Sequence, residues 1–519
     1  MSSKSALIGL FCATTVFATA QPVADREMIA KIRAEALERS QVAPVFETLT
    51  VNIGPRLTAS PAHKRAAEFM RERLAAYGLT NARLEPWKFG AGWTLEKLTV
   101  DLVEPRYLPL IGYADAWSPS TAGELVGVPV WLPGKTPEQI QAVRDQLKGP
   151  IVMTAPIVTN FIRRDRPQPS DPDYTPGSAA YATSPGRDAT AAPGQGRGAP
   201  STSSGRGPST GSGRGNSAAQ QIAQILREAG AGVFVRPSTG EHGTVFVTGV
   251  ARRDLAPGGM PSIVLSGEHY NMIVRMLEHH VPVKLRINVQ TKFYTDEGDG
   301  NAYNVIAELP GTDPALRDEV VMIGGHLDSW HTGVGATDNA DGSTTVIEAM
   351  RILKAIGARP RRTIRVALWG GEEQGLLGSK AWVEQHLAGD ANRTAREKFD
   401  VYFNIDNGTG PIYGWYLENN DAVRPIFDAW LEPFRDLSAR RNVMEPVGST
   451  DHLSFIAAGV PGFNPIQDYV NYDIRTHHTN MDTVERLDED DIRQAAIVMA
   501  SFAYHAAMRD QPIPRSAGR

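Results

Sequence analysis

The 519-residue sequence holds a single cysteine, Cys12. It sits inside the apolar run "ALIGLFCATTVFA", which Lys4 precedes and Ala18-Thr19-Ala20 follows. A positive n-region, an apolar h-region and a small-residue cleavage site make an export signal over residues 1–20. Thirteen apolar residues fall short of the roughly 20 that span a bilayer, which excludes a membrane anchor. The expectation is an exported protein, periplasmic or extracellular, with no membrane span in the mature chain. Once Cys12 leaves with the signal, no thiol or disulfide remains, so stability must come from core packing and bound metal. A basic surplus is lacking too. Fifty-three Lys and Arg face 58 Asp and Glu, a net charge of -5, which gives nucleic acid no electrostatic foothold. No H-E-x-x-H occurs, so a thermolysin-type mononuclear zinc site is unsupported. Finally, Pro167 to Asn216 contains no Val, Ile, Leu, Met, Phe or Trp, and "GRG" recurs at 196, 205 and 213. Such a tract cannot bury enough apolar surface to offset its ordering entropy, and it reads as a disordered, solvated linker.

What is present is a globular chain, 41% hydrophobic and 21% charged, long enough for more than one domain. "SPAHKRAAEFMRERLAAYG" reads as a helix closed by Gly78. After residue 298, apolar strands alternate with helices: "AYNVIAEL", "EVVMIGG", "TIRVALW" and "FDVYFNID" are the strands. Val346, Met350 and Leu353 mark one face of the helix that ends at Gly357. This alternation predicts an α/β fold, a mainly parallel sheet with helices on both faces. Residues 25–105 and 298–515 would form the main domain. Residues 106–297 would be an inserted, small β-rich domain, with 167–216 as an excursion from it.

"GGHLDSWHTGVGATDNADGS", Gly324 to Ser343, puts two histidines and several acids at the end of a buried strand. In open α/β sheets functional groups gather beyond the carboxyl ends of strands. Here His326, Asp328 and Asp338 are followed by Glu372 and Glu373 in "WGGEEQG", Asp406 in "FNIDNG", and His477, His478 and Asp482 in "RTHHTNMDT". Each alone is weak: paired glutamates commonly start a solvated helix, and a lone histidine is more often structural. Together they read as a metal centre. His326, Asp338, Glu373, Asp406 and His478 are too many for one tetrahedral zinc that keeps a water. Shared between two Zn(2+) per chain about 3.5–4 Å apart, with one carboxylate bridging, they supply three ligands to each. Asp328 can then orient His326 through its other ring nitrogen. Glu372 can take a proton from the bridging water. His331, His452 and His477 read as structural or outer residues.

"HLDSW…GATDNADGS", "RTIRVALWGGEEQGLLGS", "GSTDHLSFIAAGVPGF" and "HHTNMDT" resemble the co-catalytic di-zinc exopeptidases of the aminopeptidase and carboxypeptidase Q family. "NIGPRLTASPAHKRAAEFMRERLAAYGL" resembles the entry to the same fold. The resemblance implies that His326, Asp338 and Asp406 hold one zinc and that Asp338, Glu373 and His478 hold the other. It also implies Glu372 as general base, a cis peptide after Asp338, and a protease-associated domain for the insertion. The function expected is hydrolysis of dipeptides or short peptides with free termini. Asp451 in "GSTDH" is a candidate for the substrate ammonium and Arg475 for its carboxylate. The alternatives are an aminopeptidase on longer peptides, or a peptide-binding protein of this fold that has lost catalysis. The filled ligand positions weigh against the last; mononuclear glutaminyl cyclases need only three ligands, and the intact His326–Asp328 pair argues against them. A homodimer is left open.

Overall fold

The computed structural model describes residues 23–149, 151–168, 218–250, 259–295, 301–439 and 441–516. The expected export signal and nearly all of the 167–216 tract lie outside the described residues.

The main sheet has six strands. They are β1 (Thr80–Lys88), β2 (Asn301–Leu309), β3 (Val320–His326), β4 (Thr363–Trp369), β5 (Phe399–Asn404) and β6 (Gly462–Phe463), in the spatial order β1-β2-β4-β3-β5-β6. The pairs β4/β3, β3/β5 and β5/β6 are parallel, whereas β1/β2 and β2/β4 are antiparallel. The sheet is therefore mixed, and its parallel half is the half the sequence reading foresaw. Side chains of a strand alternate between faces, and here each face finds its own cover. Val321, Ile323, Val366, Leu368, Val401 and Phe403 share one core with α1 (Pro61–Ala76), α2 (Asp341–Ala355) and α3 (Glu489–Met508). Met322, Ala367, Trp369 and Tyr402 face the opposite core, beneath the helices Leu377–His386 and His452–Ala457. Residues 341–353 of α2 are all buried. A helix buried on every side is a core element, and its N-terminus starts beside the tip of β3.

Gly324 is required there. A Cβ at that position would lie 2.5 Å from the carbonyl oxygen of Ala367 and 2.8 Å from the Tyr402 hydroxyl. The strand can pass between its neighbours only without a side chain.

Within 106–297, strands Gly112–Ala114, Ser262–Leu265, Val233–Pro237, Ile151–Met153 and Val130–Trp131 form a five-stranded sheet in that order. A second sheet is built on the long antiparallel pair Gly92–Glu104 and Lys284–Tyr294. Chain entering and chain leaving this region are thus paired side by side. Val100, Leu102, Leu285 and Ile287 pack with Val233, Ile263 and Tyr270 in one core.

Candidate metal centre

β3 delivers His326 at its last residue, fully buried. The ring's Nδ1 lies 2.9 Å from the carbonyl oxygen of Asp328. That contact turns Nε2 toward two acids, 3.1 Å from Asp338 Oδ1 and 3.5 Å from Asp406 Oδ1. Asp406 sits two residues past the end of β5. Asp338 arrives from the long loop after β3, and that loop is held from two sides. Asp482 accepts the Thr337 amide at 2.7 Å through Oδ1, while its carbonyl accepts the Val334 amide at 2.8 Å. From the other side Arg56, fully buried, donates to the carbonyl oxygens of Leu327, Val334 and Gly335, each at 2.8 Å. Gly335 sits at φ +62, and a Cβ there would come within 2.4 Å of the Ser329 Cβ. The Asp338–Asn339 peptide is cis, as the resemblance implies.

The second group closes over Asp338. His478 Nε2 lies 2.9 Å from Glu373 Oε2 and 3.4 Å from Asp338 Oδ2. His477 Nε2 is 3.7 Å from the same Asp338 oxygen, and its ring stacks on Tyr472. Glu372 and Glu373 occupy the turn after β4. Asp328 joins the two groups, though not as expected. Its carboxylate stands 3.7 Å from His326 Nδ1 and makes its hydrogen bonds elsewhere. Oδ2 accepts the Thr58 hydroxyl at 2.7 Å, and Oδ1 accepts the Glu372 amide at 3.2 Å. Asp328 thus orients His326 with its backbone and Glu372 with its side chain.

Electrostatics makes this cluster costly without cations. Burial pushes Glu372 and Glu373 well above the usual carboxylate range, and burial raises Asp338 as well. For His326 burial works against protonation, but Asp406, Asp328 and Asp338 override it and hold the ring well above its ordinary value. Asp406 is also penalised by burial, yet the neighbouring His326 keeps its carboxyl low. His326 Nε2, Asp338 Oδ2 and Glu373 Oε1 are buried atoms with no hydrogen-bond partner. Two ligand groups emerge, His326–Asp338–Asp406 and Asp338–His477–His478, each with its donor atoms within 4.8 Å of one another. They share Asp338. Imidazole and carboxylate donors in two groups joined by one carboxylate fit a pair of zinc ions. Beside them opens a cleft bordered by Trp330, Asp338, Glu373, His478 and Asp482.

The two substrate candidates lie apart from that border. Asp451 is fully buried with no hydrogen bond of good geometry to either oxygen, and burial raises it to about 7. Arg475 turns toward the insertion, its Nη2 3.0 Å from His242 Nδ1. Sequence reasoning gave no role to Arg56, Thr58 or Trp330. A lone arginine and threonine in "GPRLT" carry no spacing signal, and their acceptors lie some 270 residues away.

Residues 304–503 match the model of peptidase family M28. Carboxypeptidase Q of Bos taurus is 26% identical over 472 residues, covering 90% of this chain and 85% of that protein. Leupeptin-inactivating enzyme 1 of Streptomyces exfoliatus is 33% identical over 169 residues, 32% of this chain and 36% of that protein. The crystal structure of a peptidase M28 precursor from Shewanella amazonensis has the same fold, with a TM-score of 0.69 and 23% identity. It covers 95% of this chain and 99% of that chain. The segment that carries the polar strand tips, 304–503, thus matches peptidase family M28, and over most of its length the chain is similar to carboxypeptidase Q and shares the fold of a peptidase M28 precursor.

Proposed function

We propose that the protein is an exported di-zinc exopeptidase that hydrolyses dipeptides or short peptides with free termini. The observation that carries this reading is the pair of ligand groups joined through Asp338. His326, Asp338 and Asp406 would hold one ion. Asp338 and His478 would hold the other together with Glu373, whose Oε2 lies 2.9 Å from His478 Nε2, rather than with His477, whose ring is stacked on Tyr472. When bound, the zincs supply Lewis acid for the scissile carbonyl and lower the pKa of water.

The rest is the work of the chain. Glu372 stands beside a ligand without being needed as one, and its amide is fixed by Asp328. It takes the proton of the attacking water and returns it to the leaving amine, the role of a general acid–base. Trp330 and Asp482 line the cleft together with Asp338 and Glu373.

Glu372→Gln tests the assignment. Both ions should stay, measured by metal analysis, while turnover of an unblocked dipeptide falls about 10²–10⁴-fold, the usual share of general-base catalysis. Turnover near wild type in the metal-loaded variant would reject Glu372 as the base.

A further inference from the structure

The metal-ligating groups are not all held by the sheet. His326 and Asp406 extend from strand ends, but His478 lies in the irregular segment 469–480, and that segment is gripped by the insertion. Asp165 Oδ1 accepts the amides of Asp473 and Ile474 at 2.9 and 3.1 Å, and its Oδ2 accepts the Asn471 amide at 2.8 Å. Arg166 forks onto the Asp473 carboxylate, with Nε 2.8 Å from Oδ2 and Nη2 2.7 Å from Oδ1. Its guanidinium also lies over the Tyr469 ring, 4.0 Å from the centroid. The Asp473 side chain is only 1% exposed and that of Arg166 15%. Two planar charged groups locked in a fork give direction as well as energy.

From there the contact passes to the ligand through packed rings. Tyr472 stacks on His477 at 4.7 Å and 20°, and the His477 centroid is 3.8 Å from that of His478. The insertion also holds the far side of the histidine. The Val247 amide donates to the His478 carbonyl at 2.9 Å, and the Val245 amide to Asn480 Oδ1 at 2.7 Å. Between these grips His478 adopts φ +64, a left-handed conformation that persists outside glycine only where the surroundings enforce it.

We infer that Asp165 and Arg166 are positioning residues through which the insertion sets the affinity of the ion bound by Glu373 and His478. This rests on the proposed assignment of His478 as a ligand. The ion held by His326, Asp338 and Asp406 takes its ligands from the sheet and from the loop pinned by Arg56 and Asp482, and it is independent of that grip. Removing residues that orient a ligand typically weakens metal binding about 10–100-fold.

The experiment titrates metal-free full-length protein with zinc by calorimetry, following two binding events. Arg166→Met should leave one event at wild-type affinity and weaken the other about 10–100-fold. Arg166→Lys, which keeps charge but loses the fork, should fall between. Asp165→Asn provides a second variant in case Arg166→Met folds poorly. Arg236→Met serves as control, because it breaks a pair with Asp115 (2.6 Å) inside the insertion and removes no hydrogen bond to the 469–480 segment. It should lower the melting temperature and leave both affinities alone. Unchanged affinities in the Arg166 and Asp165 variants, or equal weakening of both events, would overturn the inference. His478→Ala separates the two ideas. If that variant still binds two ions as wild type does, the ligand assignment itself fails. If it loses one ion while Arg166→Met does not, only the positioning role fails.

Discussion

Removing the metals should invert the way stability depends on pH. Without cations, burial holds Asp338, Glu372 and Glu373 above the ordinary carboxylate range. It raises Asp451 and Asp482 from 3.8 to about 7. A group whose folded pKa lies above its unfolded value gives its full stability below the unfolded pKa and loses it as pH rises through the folded one. For Asp451 and Asp482 the window is pH 4 to 7, and each shift corresponds to a loss of about 4 kcal/mol. His326 is raised as well, against its burial, so its contribution also fades as pH climbs. Asp328 and Asp406 are lowered despite burial, and their loss falls below pH 4, outside the window. Losses of this size rival the total stability of a domain, about 5–15 kcal/mol. Zinc reverses the trend, because it binds deprotonated ligands and its affinity grows with pH. The assay is thermal unfolding of chelated and zinc-loaded protein from pH 4.5 to 8.5, read as the difference in melting temperature. His63, pushed down to about 4 by burial, destabilises both forms on the acid side and so drops out of that difference. The gap should be small near pH 5 and widen steadily toward pH 8. A gap that is constant or narrows as pH rises would refute the reasoning.

Three further outcomes are expected. Arg56→Met strips donors from several buried carbonyls, at about 1–3 kcal/mol each, so urea unfolding of the zinc-loaded variant should show a loss of at least about 3 kcal/mol; a loss within about 1 kcal/mol would contradict the pinning role. Replacing residues 169–217 by a short Gly/Ser segment should leave melting temperature and turnover nearly unchanged, since closure entropy shifts only about 0.6 kcal/mol per twofold change in length. In a dipeptide panel, N-acetylation should abolish cleavage and C-terminal amidation should cost about 1.5–3 kcal/mol, one charged hydrogen bond; equal turnover of acetylated and free dipeptides would remove amine recognition, and Arg475→Ala would then show whether its turn toward His242 leaves it any part in binding the carboxylate.

The strands and helices were legible because their periods are local. "EVVMIGG" and "TIRVALW" are apolar through and through, as parallel strands with two covered faces must be. The antiparallel edge was not legible. β2 carries the same kind of apolar run as β3, and nothing in "AYNVIAEL" states that it runs opposite to β4. The cluster of acids and histidines around Asp338 was legible because most of its members follow strand ends in chain order. Their supports were not, since each is an interaction across long sequence separations. Asp328 shows the difference well. Its closeness to His326 in sequence suggested a carboxylate on the imidazole, whereas the fold gives that place to its carbonyl and turns the carboxylate toward Thr58 and Glu372. An adjacent pair of residues limits which contacts are reachable, and tertiary packing chooses among them.

The same distinction bears on how the two candidate ligand groups are held. His326 Nε2 is set by the end of β3 and by a hydrogen bond two residues away, and Asp406 by the end of β5. These constraints exist as soon as the sheet does, so that half of the centre is preformed. Glu373 sits in a turn, and the His478 side chain is 29% exposed on a segment held by residues of another part of the fold. The His478 side of that half is therefore shaped by contacts from the insertion. Asp338 belongs to both, and its own loop is tied to Asp482, four residues beyond His478. On the proposed assignment, a group set by strand ends beside one set across the fold makes the ion on the Glu373–His478 side the one whose affinity the insertion can change.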